Sequence, residues 1–294
     1  MPLTSPKADA SQRFIFDNTD IRGEIVRLHT SVQQCVQGKG YPDAVSALLG
    51  QFLAASALLS TTIKFDGRLV IQARSEGEIA VIMGECSSAG ELRGIARYAQ
   101  PPVSDRFEAL LANGTLVITI DTRKGEPYQG IVALEGESLA HCLQAYFTQS
   151  EQLGSVFYFA CDRESVVGLM LQQLPAQVEK DPDARRAHWE HCATLARTIT
   201  DEELLQLSNA DILHRLYHQE PLRVFPPRAL RFACSCSRER TARALSAMGR
   251  QEIEEIIAER GGVEISCEFC GTEYNFGPGE LALLFEGGDE HATH

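Results

Sequence analysis

The chain has 294 residues, 44% of them apolar, and a formal net charge of -13. That length and apolar share suffice for a full buried core, in one large domain with an appendage or in two domains. The acidic balance disfavours nucleic acid as the main partner, and the opening Met1-Pro2-Leu3-Thr4-Ser5-Pro6-Lys7 holds no apolar stretch of a secretory signal.

From about residue 13 to 175 the sequence alternates short β-like runs with two helical stretches. Asp17, Asp20 and Arg22, in Phe16-Asp17-Asn18-Thr19-Asp20-Ile21-Arg22-Gly23, suggest acid/base work only weakly, because no nucleophile accompanies them; capping and a salt bridge are the expected roles. Pro42-Asp43 starts a helix over about 43–62. Its most apolar window, Ala44 to Leu59, is short for a bilayer and carries Ser46, Gly50, Gln51 and Ser56, so it reads as a buried core helix rather than a membrane span. Ile63-Lys64-Phe65 and Arg68 to Gln72 flank Asp66-Gly67, the dipeptide of a type I′ hairpin turn. Strands follow at 79–86, 116–121, 129–134, 156–161 and 166–171. A second helix is expected over about 138–148, with Leu139, Cys142, Leu143 and Tyr146 on one apolar face. Lys39 between Gly38 and Gly40, and Lys124 before Gly125, read as turn residues. These patterns predict an α+β domain over residues 1–178: an antiparallel-rich sheet packed with helices.

The character changes at Glu179-Lys180-Asp181-Pro182-Asp183. Short amphipathic helices are expected from there to about 230. Trp189, Cys192 and Leu195 share one face, Thr200 and Glu203 form a capping box, and Asp211 to Tyr217 gives a third piece. Helices this short are marginal in water unless they dock on something. His214 and His218 stand four apart and read as surface or core histidines, and His291 and His294 lie on a polar tail.

Residues 231–294 form a third, small domain around four thiols. Cys234-Ser235-Cys236 is followed, thirty residues later, by Cys267-Glu268-Phe269-Cys270-Gly271. Two tight thiol pairs can close a tetrahedral sphere around one soft cation, the geometry of structural zinc. Between the pairs, Ala242, Leu245 and Met248, then Ile253, Ile256 and Ile257, mark two helical faces broken near Gly249, and 263–265 and 273–276 read as strands. So small a domain offers few core side chains and needs a staple. Four cysteines allow three disulfide connectivities; a bridge across the single residue of Cys-Ser-Cys is strained and readily reduced. Arg231, Arg238 and Arg240 read mainly as a solvated face, with a secondary part in moderating a centre of charge −2. Cys35, Cys86, Cys142, Cys161 and Cys192 stand singly, share no ligand spacing and read as inert free thiols. Nine cysteines, an odd number, fit a reducing compartment, and the cytoplasm is the expected location.

No G-x-S-x-G elbow, H-E-x-x-H or P-loop string occurs, so substrate turnover is not expected. The strings CSCSRER at 234–240 and CEFCGTEYNF at 267–276 resemble those of the redox-regulated 33-kilodalton heat-shock holdases. The likeness extends through LLGQFLAASALLSTTIKFDGRL at 48–69, ELRGIAR at 91–97, KGEPYQGIVALEGE at 124–137 and LHRLYHQE at 213–220. It implies a core domain, a helical linker over about 179–230 and a zinc domain. It further implies that Cys234, Cys236, Cys267 and Cys270 bind one Zn2+ in the reduced, inactive state and form two local disulfides on oxidation. The linker then becomes disordered, an apolar surface holds unfolding client proteins without ATP, and the active protein is a homodimer. A zinc-ribbon nucleic-acid-binding regulator is the alternative, with the acidic balance against it. A thiol-disulfide oxidoreductase using Cys267 and Cys270 lacks the expected βαβ setting.

Overall fold

The computed structural model describes residues 8–122 and 126–281. Met1 to Lys7, Lys124 and Gly125, and His291 and His294, all read above, lie outside the described residues. The chain divides between Ala233 and Cys234 into two compact units.

The first unit opens with strands β1 (Ala10–Phe16) and β2 (Ile21–Leu28), then helices α1 (Thr30–Val36) and α2 (Asp43–Thr62). Strands β3 (Gly67–Arg74), β4 (Val81–Ser87) and β5 (Glu91–Arg97) follow, then α3 (Phe107–Leu110), β6 (Thr115–Thr122) and β7 (Tyr128–Ala133). Next come α4 (Leu139–Tyr146), β8 (Ser155–Cys161) and β9 (Val166–Gln173), and then three helices, α5 (Pro182–Ala196), α6 (Asp201–Gln206) and α7 (Asn209–Tyr217). Short strands β10 (Leu222–Val224), β11 (Arg228–Ala229) and β12 (Arg231–Phe232) complete it.

One sheet has the order β10-β1-β2-β9-β8, with β11 also on β1; the other runs β12-β5-β4-β3-β6-β7. All pairs are antiparallel except β12 with β5. The α+β class and the antiparallel-rich core are therefore as the sequence predicts. Helix α2 is long and apolar enough to cross a membrane by length and composition alone, but Leu49, Phe52, Leu53 and Leu58 are fully buried, in one core with both sheets. Leu139, Cys142, Leu143 and Tyr146 of α4 are buried as expected.

The Asp66-Gly67 hairpin is not formed. Helix α2 runs through to Thr62, residues 63–65 connect it to the sheet, and β3 pairs with β4 and β6. Gly67 serves a different need: a Cβ there would stand 1.9 Å from the Asp121 carbonyl oxygen of the neighbouring strand. The dipeptide marks a close backbone approach, which local turn propensity cannot distinguish from a type I′ turn.

Side-chain alternation gives the first sheet two apolar faces. Val26, Leu28, Val166 and Met170 face the core with α2, whereas Phe14, Phe16, Ile25, Leu169 and Leu171 face outward. The outward face is covered by α5, α6 and α7 through Cys192, Ala196, Leu204, Ile212, Leu216 and Tyr217. These are the short helices that need a docking partner, and the sheet supplies it.

The second unit holds α8 (Arg238–Ser246), α9 (Arg250–Arg260) and a hairpin of β13 (Val263–Ser266) and β14 (Glu273–Phe276). Its buried apolar cluster among the described residues is Ala242, Leu245, Ile253, Val263, Phe276 and Leu281. Met248, expected on the α8 face, is 47% exposed because α8 ends at Ser246 and Gly249 turns the chain at φ 102°.

Candidate metal centre and the docked helical segment

Cys234 and Cys236 lie in the loop before α8, whose first turn is capped by Ser237 accepting the Arg240 N–H at 3.3 Å. Cys267 and Cys270 sit in the turn of the β13–β14 hairpin. That turn is closed by the Gly271 N–H donating to Cys267 O at 2.7 Å and the Cys267 N–H donating to Thr272 O at 2.9 Å. Gly271 has φ 73° with nothing within 4 Å of a would-be Cβ, so the glycine after Cys-x-x-Cys is required by backbone conformation rather than by crowding.

The four sulfurs all lie within 4.8 Å of one another. Contacts cross between the two halves, Cys234 to Cys267 at 3.6 Å and Cys236 to Cys270 at 3.4 Å. A tetrahedral ion with bonds of about 2.3 Å to each sulfur sets its ligands about 3.8 Å apart. The spacing therefore fits one such ion, and an all-thiol donor set suits a soft or borderline cation such as zinc.

The surroundings tune these thiols unequally. Burial pushes Cys234 up to about 12 and also raises Cys236, the latter against the Tyr274 hydroxyl, which donates to its sulfur at 3.1 Å. Burial raises Cys270 too, but Thr272, through its hydroxyl 3.2 Å away and its backbone, together with the Cys236 and Cys267 thiols, brings it down to about 6. Without a cation the neighbouring sulfurs share protons; a divalent ion is what would let all four stand as thiolates. Thr272 and Tyr274 were not singled out in the sequence. Their place directly after Cys-x-x-Cys-Gly, Thr272 just before β14 and Tyr274 within it, is the signal that marks them.

Of the three arginines, Arg240 Nη1 donates to Ser235 O at 2.7 Å and so steadies the loop between the first two cysteines. Arg238 bonds Asn275 O and Glu280 and lies over the Phe276 ring, and Arg231 pairs with Glu91. The five solitary thiols are all held protonated by burial, Cys35, Cys161 and Cys192 pushed up to about 12 and Cys86 and Cys142 to about 11. None of them belongs to the four-thiol group. His214 and His218 are exposed on α7 with ring centroids 5.6 Å apart.

The helical segment is held by buried polar latches as well as by apolar contacts. Arg27, 9% exposed, donates to Asn209 Oδ1 at 2.7 Å, to Leu205 O at 3.4 Å and to Leu207 O. Asp20 accepts the backbone N–H groups of Gln177, Val178 and Glu179 and pairs with Arg185. Burial raises its carboxyl, but those N–H donors and Arg185 bring it below the ordinary value. The capping and salt-bridge roles expected of Asp17, Asp20 and Arg22 are thus real: Asp17 pairs with Arg223 at 2.8 Å and Arg22 bonds Gln172 and Thr62 O. Arg27 escaped the sequence reading, although a lone charge inside Ile25-Val26-Arg27-Leu28 is the sign of a buried polar anchor.

Two sheets enclose a core helix, a helical segment docks on the outer face of one of them, and four thiols converge in the second unit. The Hsp33 protein family matches residues 9–277, and the chain belongs to that family. It is 51% identical over 287 residues to the 33 kDa chaperonin of Azotobacter vinelandii and 50% identical over 287 residues to that of Ectopseudomonas mendocina, each comparison covering 97% of both chains. The crystal structure of the 33 kDa chaperonin from Thermotoga maritima superposes with a TM-score of 0.78 at 21% identity, over 95% of this chain and 98% of that one, and so shares the fold.

Proposed function

We propose that this chaperone is an ATP-independent holdase governed by the redox state of its four-thiol centre. In this reading Cys234, Cys236, Cys267 and Cys270 hold one zinc ion in the reduced, resting protein. Residues 1–178 act as the core domain, 179–230 as a releasable linker and 231–294 as the switch domain. Bound zinc would supply cross-linking without redox chemistry of its own, tying two loops that are far apart in sequence.

Oxidation by peroxide or hypochlorite converts the thiols into Cys234–Cys236 and Cys267–Cys270 disulfides. With peroxide, each disulfide forms as two thiolates give up two electrons to one molecule, which takes two protons from solvent and leaves as two waters. Local bridges close only very small loops, so the long tie between the halves is lost and the small apolar cluster of the second unit is left without its staple. Cys234 follows directly on Ala233, whose N–H is held by Leu92 O at 3.0 Å, so disorder in the switch domain would begin next to β12, the strand that follows the linker.

Release of α5, α6 and α7 bares Phe14, Phe16, Ile25, Leu169 and Leu171, a continuous apolar sheet face suited to unfolding clients. The active form is read as a homodimer in the cytoplasm, without enzymatic turnover and without nucleic acid or membrane as partner. The single observation that carries the proposal is the cross-paired four-sulfur cluster, which supports a metal tie that local disulfides would undo.

The test is zinc release and light scattering of an unfolding client in one sample. Reduced protein should carry one zinc and leave the client to aggregate; peroxide with mild heat should release the zinc and suppress scattering. Equal protection before and after oxidation would remove the switch.

A further inference from the structure

The register of β1 on β2 sets Arg13 opposite Glu24 and, by the two-residue alternation, places Ser11, Arg13, Arg22 and Glu24 on the inner face of the first sheet. The chain leaving α2, from Ser60 to Phe65, and the segment from Phe225 to Arg228 wall off a cleft of about 540 Å³ over these residues. Four cations line it, Arg13, Arg22, Lys64 and Arg228, around a single carboxylate, that of Glu24. In a chain of net charge -13, such a concentration of positive charge needs a cause.

Fold stability accounts for only part of it. Arg22 donates to Thr62 O at 3.2 Å and so closes the carbonyl end of α2, and Arg228 Nη2 holds Ser88 O. Arg13 lies over the Phe225 ring, 4.3 Å from its centroid. Among the described residues, none of Arg13, Lys64 and Arg228 has a carboxylate within ion-pair distance. At the floor, Ser11 is 1% exposed, and its hydroxyl and that of Thr61 face the Glu24 carboxylate. One carboxylate cannot neutralise four cations, so the cleft is left with an excess of positive charge that an anion would meet.

We propose that this cleft binds a small phosphate-bearing molecule, with phosphate oxygens on Arg13, Lys64 and Arg228, the Ser11 hydroxyl at the floor, and Phe65 and Phe225 as apolar walls for the rest of the ligand. The cleft is several times larger than a bare phosphate ion and within the range that ordinary small-molecule ligands occupy. The guanidinium forks of Arg13 and Arg228 match phosphate geometry. The wall from Phe225 to Arg228 joins β10 to β11, so the ligand would also pin that segment to β1 and to the end of α2. This site is independent of the redox reading above.

The experiment is calorimetric titration of the reduced full chain with inorganic phosphate, pyrophosphate and ADP in turn, with acetate as control. One saturable site is expected, tighter for pyrophosphate or ADP than for phosphate. ADP tighter than pyrophosphate would show that the aromatic walls take part, and the reverse that the site reads phosphate alone. The Arg13→Ala/Lys64→Ala variant changes two exposed side chains and should melt as the parent does while losing at least tenfold in affinity. Glu24→Gln, which removes the one negative charge, should bind several-fold more tightly. Absence of saturable binding by all three phosphates at millimolar concentration, or equal affinity in parent and double variant, overturns the proposal.

Discussion

The two units are held together by different means. In the first, α2 is buried in one core with two six-stranded sheets, and its fold needs nothing beyond apolar burial and strand pairing. In the second, the described residues bury only six apolar side chains, one of them an alanine, and four sulfurs converge within 4.8 Å. A region stabilised by burial loses stability gradually as side chains are trimmed. One stabilised by a metal tie is all or none, and it inherits the chemistry of its ligands. The helical segment α5–α7 stands between these cases, with an apolar face like the core's but only a few polar latches fixing it in place.

Breaking the tie is expected to have the largest effect. Cys267→Ala should leave the protein zinc-free and residues 234–281 unfolded, a loss on the order of 10 kcal/mol for that unit, checked by metal analysis and by the dispersion of its amide resonances. The first unit should keep its thermal transition. Cys192→Ser in the docked segment should leave the zinc content unchanged.

Next in size is the latch. Arg27→Met leaves the Leu205 and Leu207 carbonyls and Asn209 without their buried donor, so the docking of α6 and α7 should weaken by about 2–4 kcal/mol. The variant should suppress client aggregation without oxidant while still carrying zinc. Proteolysis should cut within 179–217 first.

A comparable effect is expected from pH, confined to the first unit. Burial pushes the Glu24 carboxyl up to about 7, against the pull of the Arg13 and Arg22 guanidiniums. Its folded value lies above its unfolded one, so its contribution is fully present below about pH 4.5 and is lost as pH rises through 7. Glu24→Gln should flatten that slope and, at pH 8, gain on the order of 2–3 kcal/mol in denaturant unfolding.

Smallest is Tyr274→Phe, which removes the hydroxyl donor to Cys236 Sγ. It should shift zinc loss to a lower chelator concentration without unfolding the unit.

The same contrast explains what could be read in the sequence. The apolar run of α2, the face of α4 and the Thr200–Glu203 capping box are local patterns, and each appears where it was expected. The four thiols were legible as two pairs. That Cys234 meets Cys267 and Cys236 meets Cys270 was not, because it depends on how a hairpin turn meets a distant loop. Strands β1, β2 and β5 were not marked as strands, since charges such as Arg22, Arg27 and Arg93 interrupt their apolar pattern and find their partners only in the folded chain. Arg27 shows why: its partners lie about 180 residues away.

Hydrogen exchange of the full chain before and after peroxide treatment, with zinc measured in the same samples, tests the central claim most directly. The account predicts that amides across 179–217 and 234–281 lose protection together as zinc leaves, while α2 stays protected. Zinc departure with the 179–217 amides still protected would contradict it.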